Sequence, residues 1–571
     1  MKKISFLIIC ILSCCIHFWG LNWGTVSREK LVQIFGSKEA IEKSVPEMIK
    51  LRDKFYQTQQ KIYSTGDIKS AITETYSHNL RSKPYSFLSD EIKFDAVRNF
   101  FLGSLNSDEQ HNLVAISNLN PFKLDFNPNV YVWGGLHFYN AAFILVIAKL
   151  SGIISLTPGI QYYFMHPEEV AGMYIVIRFI SAISAVLAVL LIYFFARSIA
   201  GNFTGFVSSI IFMILPLIIW NSRIAKPHIL GMLFVLLGAW YVYKIFSENI
   251  PERKYLYISS IFFGLAFGML NVNVFSILIL YSVFLTKNKF DFKKLFSREI
   301  FISTILFALV FLCTNWFLIA DFHKFLRRKE ELSIIFNYGN FSLIESAKFL
   351  KVFFQSAIPL GLFPLFCAGI YRAIKEKQVL LYPLIIFLSL HFLFVLLYMK
   401  HINTYIISLP FISIITAYGA EYFVKRKIHL LTGYSLIVIL YLFINAGLHT
   451  SLFVRQGNLT MAGGWINLNI KQNSTVGVPG GFFSMGNFPA FSYFKYKLMH
   501  IPVNEAWDKP KLLPEYLVSV NDLLESTHKP ELGKYYLKIY ELHESGFFGK
   551  LFIRDKNIAT ENCNVFVYEK L

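Results

Sequence analysis

From Tyr174 to Ala196 the chain reads YIVIRFISAISAVLAVLLIYFFA, with Arg178 as its one charge. A helix needs roughly 20 apolar residues to cross a bilayer, so this run is long enough. Working outward, comparable runs recur at 203–220, 228–246, 255–269, 273–286, 300–320, 352–372, 379–398, 404–422 and 429–450. The pair at 255–269 and 273–286 is short and is divided at Asn271-Val272-Asn273. A further run, Ile4 to about Leu21, follows Lys2 and Lys3. No small-x-small cleavage site stands behind it, so it reads as an uncleaved signal anchor. The sequence therefore predicts a mainly α polytopic membrane protein with about 11 transmembrane helices.

Composition agrees. Of 571 residues, 55% are hydrophobic, 17% aromatic and only 16% charged, against about 25% charged in a soluble domain. Mean hydropathy is +0.48. These values exclude a disordered chain, a coiled coil and a disulfide scaffold. The net charge of +19 reads as loop charge beside membrane spans, and no nucleic-acid partner is expected. Cys10, Cys14, Cys15, Cys313, Cys367 and Cys563 show no CxxC spacing, so neither a zinc site nor a disulfide framework is expected.

Leu136 to Leu156 is long enough to cross but carries Asn140 and Lys149. The positive-inside rule decides its placement. If it stays at the interface, the clusters at Arg197, at Lys244 with Arg253, at Lys287–Arg298, at Arg372–Lys377 and at Lys425–Lys427 all face the cytoplasm. It is expected to be a juxtamembrane or re-entrant helix. The predicted organisation is then a first transmembrane helix at 1–21, a large outer loop at 22–172, a transmembrane bundle at 173–452 and an outer C-terminal domain at 453–571. Turn signals at Gly463-Gly464 and short apolar runs at Val476–Val478 and Val565–Val567 make that last domain a small mixed α/β unit. The loops at 22–172, 221–227 and 321–350 share its face.

The candidate chemistry lies on that face. Asp108 and Glu109 stand together, followed by His111, Asp125 and Tyr131, just ahead of the membrane-hugging segment. A carboxylate at a partly dry interface can take a proton from a substrate hydroxyl; the alternative is a solvated acidic loop or helix cap. Arg223 and Lys226 precede Pro227 and His228 at the start of a span. Two cations at a helix N-terminus suit a phosphate; the alternative is snorkelling interfacial charge. Arg178 inside a span is a functional hint or half of a structural ion pair. His401 and Tyr405 border an outer helix end and read equally as an aromatic belt. His137 and His166 read as ordinary interfacial histidines. No Walker A motif or strand-flanked GxGxxG is present, so no nucleotide cofactor is expected.

In order along 95–245, these motifs resemble the polytopic glycosyltransferases of the GT-C fold, most of all the family 39 relatives of protein O-mannosyltransferases and the lipid A aminoarabinose transferase. The resemblance rests on Asp108-Glu109, on Asn127-Pro128, Tyr131 and Gly134-Gly135, on Arg178, on Arg197 to Gly201, and on Ser222-Arg223 through Lys226-Pro227-His228. Gly264 to Gly268 and the His401, Tyr405, Pro410 stretch extend it more weakly.

The resemblance implies transfer of a sugar from a polyprenyl-phosphate donor to a protein, lipid or glycan acceptor, with inversion, at the periplasmic face of a bacterial inner membrane. By analogy Asp108 and Glu109 are catalytic, with Asp108 the base on the acceptor hydroxyl and Glu109 orienting the acceptor or the basic residues. Arg178, Arg223, Lys226 and His228 would bind the donor phosphate, and His111, Asp125, Tyr131, His401 and Tyr405 would line the pocket. Many relatives carry Asp at the position of His228, which weakens any case for a divalent metal, so no metal cofactor is expected. Membrane lipids are the other expected partners. The rival reading is a transporter or flippase for a lipid-linked saccharide.

Overall fold

The computed structural model describes residues 2–64, 84–246, 252–336, 342–454, 457–479, 488–503, 507, 510–543 and 563–571. Among them, five helices are long and apolar enough to cross a membrane: Pro167–Ala200, His228–Phe246, Val379–Met399, Ile402–Lys425 and His429–Leu452. Leu343–Ala357 and Leu360–Lys375 add a sixth if that pair, bent by 78°, is one span. The chain is a multi-pass membrane protein, but a count of eleven crossings is not established. Several apolar runs are broken: Pro216 starts a new short helix after Asn202–Met213, and Pro359 lies at the 78° bend. Proline lacks the N–H that would continue the ladder.

The Pro167–Ala200 helix shows how local sequence sets its ends. Pro167 occupies the first turn, Glu168 and Glu169 follow it, and Gly201 at φ 95° ends the helix. The carboxylates sit where the helix dipole favours negative charge.

The ambiguous segment forms the 16-residue helix Gly135–Leu150. Residues beyond it meet the outer segment: Arg28 bonds Glu168 at 3.3 Å, and Phe164 packs on Phe101 with ring centroids 5.2 Å apart. The glycine pair that opens this helix is dictated by close approach. A Cβ on Gly134 would lie 1.9 Å from the Gly268 carbonyl oxygen, and one on Gly135 would lie 2.6 Å from that of Thr314. The Gly134 N–H donates to Met269 O at 3.0 Å, so Gly134 and Gly268 are two halves of one contact.

Outside the bundle, β1 (Thr475–Pro479), β2 (Lys497–Ile501), β3 (Tyr516–Val520), β4 (Tyr536–Leu542) and β5 (Val565–Lys570) form a sheet of order β2-β1-β3-β5-β4. β2, β1 and β3 are parallel; β5 runs antiparallel to β3 and β4. The helices Arg28–Phe35, capped by Ser27, and Asp90–Leu102, capped by Ser89, pack against it. Leu31, Ile34, Val97 and Phe101 share one core with Ile466, Val476, Val518 and Val567. The early outer segment and the C-terminal segment, read separately from sequence, are thus one packed unit.

At the opposite end of the bundle, Arg372 donates to Glu376 Oε2 at 2.9 Å and Glu421 Oε2 at 2.9 Å, and its guanidinium lies 3.8 Å over the Tyr418 ring. Lys425 also pairs with Glu421, at 3.1 Å. These pairs tie helices Phe363–Lys375 and Leu409–Lys425 together at the face where sequence reading placed the cytoplasmic charges.

Candidate functional site

The acidic pair divides into two roles. Both residues lie in the short 3-10 turn Ser107–Glu109 that enters helix Gln110–Asn118. Asp108 points to the surface, its side chain 52% exposed, and accepts from Lys226 Nζ at 2.5 Å. Glu109 points inward and is fully buried. Its Oε1 accepts from Arg178 Nε at 2.8 Å and from the Ala225 N–H at 2.6 Å, and its Oε2 accepts from Arg178 Nη2 at 2.6 Å and from Ser104 Oγ. Glu109 was expected to orient the acceptor or the basic residues; here its oxygens are filled by protein donors, which tie Arg178 and the 221–227 turn to the turn that carries Asp108.

Two of the residues expected to bind the donor phosphate, Arg178 and Arg223, are likewise occupied by protein partners. Arg178 is fully buried, and beyond Glu109 it donates to Leu21 O at 2.7 Å and Trp23 O at 2.6 Å, with its guanidinium 4.9 Å over the Trp23 ring. Arg223, equally buried, donates to Trp19 O at 2.9 Å, to Ile219 O at 2.6 Å, to Ile16 O and to Thr450 Oγ1 at 3.3 Å. Both guanidinium groups collect carbonyls at and just beyond the C-terminal end of helix Lys2–Phe18. Those carbonyls lack helical partners and carry the negative end of the dipole. A buried charge is tolerated only with such a full set of partners.

Lys226 remains at the site, its side chain 10% exposed. Around the Asp108–Lys226 pair stand His111, His228 and His401, all within electrostatic reach of both. Burial tends to raise the Asp108 carboxyl, but Lys226, with smaller help from His111 and His228, outweighs it and holds the pKa below the ordinary carboxylate value. Burial pushes the His111 imidazole down to about 4; Asp108 opposes this, and Arg328 and Lys226 add to it. His401 is pushed to about 4, by burial and then by Lys226, against Asp108. At neutral pH these two rings are uncharged and act as hydrogen-bonding groups, so the positive charge near them comes from Lys226 and Arg328.

His401 also borders a cavity of about 300 Å³. Its lining includes Lys400 and Lys348, the latter paired with Glu345 of the same lining at 2.7 Å, among Leu217, Trp220, Phe349 and Val352. Sequence reasoning missed Lys348 and Lys400, which look like ordinary loop charges until the bent helix pair and the turn after Met399 bring them beside His401.

Two other expected pocket residues lie elsewhere. Asp125 accepts from the Asn127 N–H at 3.1 Å and shapes its own exposed turn. Tyr405 is buried in a ring cluster, 5.3 Å from His391 and 5.2 Å from Phe353. Tyr131 is buried and donates to Asp321 Oδ2 at 2.8 Å, and Asn127 Nδ2 donates to the same oxygen at 2.5 Å. Asp321 thereby anchors the amphipathic helix Phe322–Phe336, which carries Arg328 toward His111. His111, His228 and His401 are the expected residues that the fold does bring to Asp108 and Lys226.

Residues 172–317 match the model of the family described as dolichyl-phosphate-mannose-protein mannosyltransferase. This bears out the glycosyltransferase resemblance read from the motifs, over the part of the chain that holds Arg178 and Lys226. No curated protein matches the chain. Among solved structures, the apo oligosaccharyltransferase of Archaeoglobus fulgidus is similar over 79% of this chain and 72% of its own, at 13% identity and a TM-score of 0.43. ArnT from Cupriavidus metallidurans, in the apo state, is similar over 81% of this chain and 93% of its own, at 12% identity and a TM-score of 0.41. The same enzyme bound to undecaprenyl phosphate gives 80% and 92%, at 11% identity and a TM-score of 0.40. These likenesses are distant.

Proposed function

We propose that this chain is an integral membrane glycosyltransferase that moves a sugar from a polyprenyl-phosphate donor to an acceptor hydroxyl on a protein, lipid or glycan. The reaction takes place at the periplasmic face of a bacterial inner membrane, in a bundle crossed by the eleven apolar runs. The observation that carries the reading is the 2.5 Å contact between a half-exposed Asp108 and the nearly buried Lys226, beside a cavity bearing Lys348, Lys400 and His401.

A glycosyl phosphate brings its own leaving group, so the step needs a base for the acceptor and cations for the departing phosphate. The Asp108 carboxylate takes the acceptor proton as the acceptor oxygen bonds to the anomeric carbon. The bond from that carbon to the phosphate oxygen breaks from the opposite side, which inverts the centre. The released polyprenyl phosphate keeps the electron pair and is held by Lys226 and Lys400, with Lys348 able to join them by leaving Glu345. No metal is invoked.

The pair also supplies a gate on base strength. Without donor, Lys226 neutralises Asp108 and keeps it a weak base. A phosphate that captures Lys226 leaves Asp108 to the opposing effect of burial, which makes it a better proton acceptor. Glu109 and Arg178 hold the two turns in register so that this exchange can occur.

Asp108→Asn in the full chain, reconstituted in nanodiscs, tests the reading. The expected result is loss of sugar transfer by at least about 100-fold, the scale of general-base catalysis, with undecaprenyl phosphate binding retained. Undiminished transfer, or translocation of lipid-linked sugar without transfer, overturns it in favour of a transporter.

A further inference from the structure

We infer that a cavity at the opposite end of the bundle from Asp108 holds the head of an anionic glycerophospholipid from the leaflet at that end. The cavity, of about 500 Å³, lies between helices Ile277–Lys287 and Arg298–Thr314. Tyr281, Leu295, Phe296, Arg298, Phe301 and Thr304 line it. Tyr281 Oη and Thr304 Oγ1 bond each other at 2.9 Å and join the two helices at its wall. The second helix fixes where the cavity sits. Asn315, just past the C-terminal end of that helix, accepts from the Gly135 N–H at 2.7 Å. The helix has 17 residues and so rises about 25 Å away from that contact. Arg298 at its start therefore lies at the end of the bundle that carries Lys287 and Arg253, and Arg253 pairs with the neighbouring Glu299 at 3.0 Å.

Charge and shape together select the occupant. Residues 287–299 hold five cations, Lys287, Lys289, Lys293, Lys294 and Arg298, against Asp291 and Glu299. Both carboxylates are engaged: Asp291 Oδ1 accepts from the Lys293 N–H at 3.1 Å, and Glu299 holds Arg253. Arg298 lines the cavity, and its guanidinium has no ion-pair or hydrogen-bond partner among the described residues. A guanidinium presents a planar fork of N–H donors that matches the oxygens of a phosphate. The rest of the lining is largely apolar and continues along the helix. Phe296 is 91% exposed, and Phe301, Ile305, Leu309 and Leu312 are exposed in a row. Their spacing of four, four and three residues places them on one helix face. A phosphate ion would engage the guanidinium alone. A phosphodiester that carries acyl chains engages both parts, with its phosphate on Arg298 and its chains along the stripe. Lys289 and Lys293 in the same connector attract an anionic head and repel the ammonium of a zwitterionic one.

The test is native mass spectrometry of the full chain in detergent, with equimolar dioleoyl phosphatidylglycerol and dioleoyl phosphatidylcholine, which share the same chains. Wild type should retain the glycerol lipid in preference to the choline lipid. Arg298→Gln should lower that preference about fivefold, the effect of one cation on an anionic lipid head. Phe296→Ser should lower retention of both lipids and leave the preference between them. Lys427→Gln removes an exposed cation at the same end of the bundle but outside the cavity, and should leave the preference unchanged. Excess inorganic phosphate should not displace the bound lipid. The inference is overturned if wild type shows no preference, if Lys427→Gln costs as much as Arg298→Gln, if Phe296→Ser retains both lipids as wild type does, or if inorganic phosphate empties the site. Sugar transfer enters none of these readouts, so their failure leaves the proposed function standing, and an active Asp108→Asn leaves this lipid site standing.

Discussion

Replacing Glu109 with Gln removes a charge from a carboxylate that accepts four hydrogen bonds and is fully shielded from water. The amide can keep its oxygen toward Arg178 Nε and the Ala225 N–H. Its NH2 then replaces Oε2, where Ser104 Oγ can reverse and accept but Arg178 Nη2 cannot. One donor faces another, and the Arg178 guanidinium is left with an incomplete set of partners in a dry site. Breaking a buried ion pair by removing one partner costs about 3–5 kcal/mol. Glu109→Gln should lie near the lower end, because only one of the four contacts is reversed in sense without remedy, and Glu109→Ala near the upper end. Unfolding of the detergent-solubilised chain, followed by tryptophan fluorescence, reads the loss; Trp23, stacked on Arg178, is a local reporter. Glu109→Gln should be destabilised yet retain transfer per folded molecule at low temperature, while Asp108→Asn should be stable and inactive. A Glu109→Gln protein as stable as wild type but devoid of transfer would refute the positioning role and return this carboxylate to the chemistry.

Three further outcomes follow from the same contacts. Lys226→Met leaves burial as the main influence on Asp108, so the acid limb of the kcat/KM profile for transfer should move to higher pH than in wild type, where Lys226 holds that carboxyl below its ordinary value. His111 and His401, with ordinary values of 6.5 pushed to about 4, take up protons in the unfolded chain before the folded one. Stability is therefore lost as pH falls from about 6.5 to about 4, and His111→Asn with His401→Asn should flatten the fall in unfolding midpoint across that window. Asp321→Asn weakens the contacts of helix Phe322–Phe336 with Asn127 and Tyr131; limited proteolysis of that helix should accelerate, and KM for the acceptor should rise more than kcat falls.

The architecture was readable where the signal was additive along the chain. The asymmetry of Lys and Arg between loops placed the Asp108 turn, the Lys226 turn and the 321–350 segment on one face, and the structure joins all three through the Asp108–Lys226 pair and the approach of Arg328 to His111. It also set Leu136–Leu156 apart from the crossings; in the structure the chain beyond that helix contacts the 22–172 segment's start through Arg28 and Glu168. The number of spans was less readable, because hydropathy averages across breaks such as Pro216 and the bend at Pro359. Individual roles were least readable. Arg178 stood out as a costly charge in a span, but sequence does not show that the carboxylate 69 residues away meets it. The fold then turned a candidate ligand into a structural pair. Lys348 and Lys400 were invisible because a bent helix pair, with its hinge at Pro359, creates their cavity.

The central claim is that the phosphate of the donor takes Lys226 away from Asp108. A structure of the full chain with undecaprenyl phosphate bound measures this directly. The account predicts a phosphate oxygen at hydrogen-bond distance from Lys226 Nζ and the Asp108 carboxylate released from it, open to the cavity. A phosphate bound elsewhere, with the 2.5 Å Asp108–Lys226 contact intact, would contradict it.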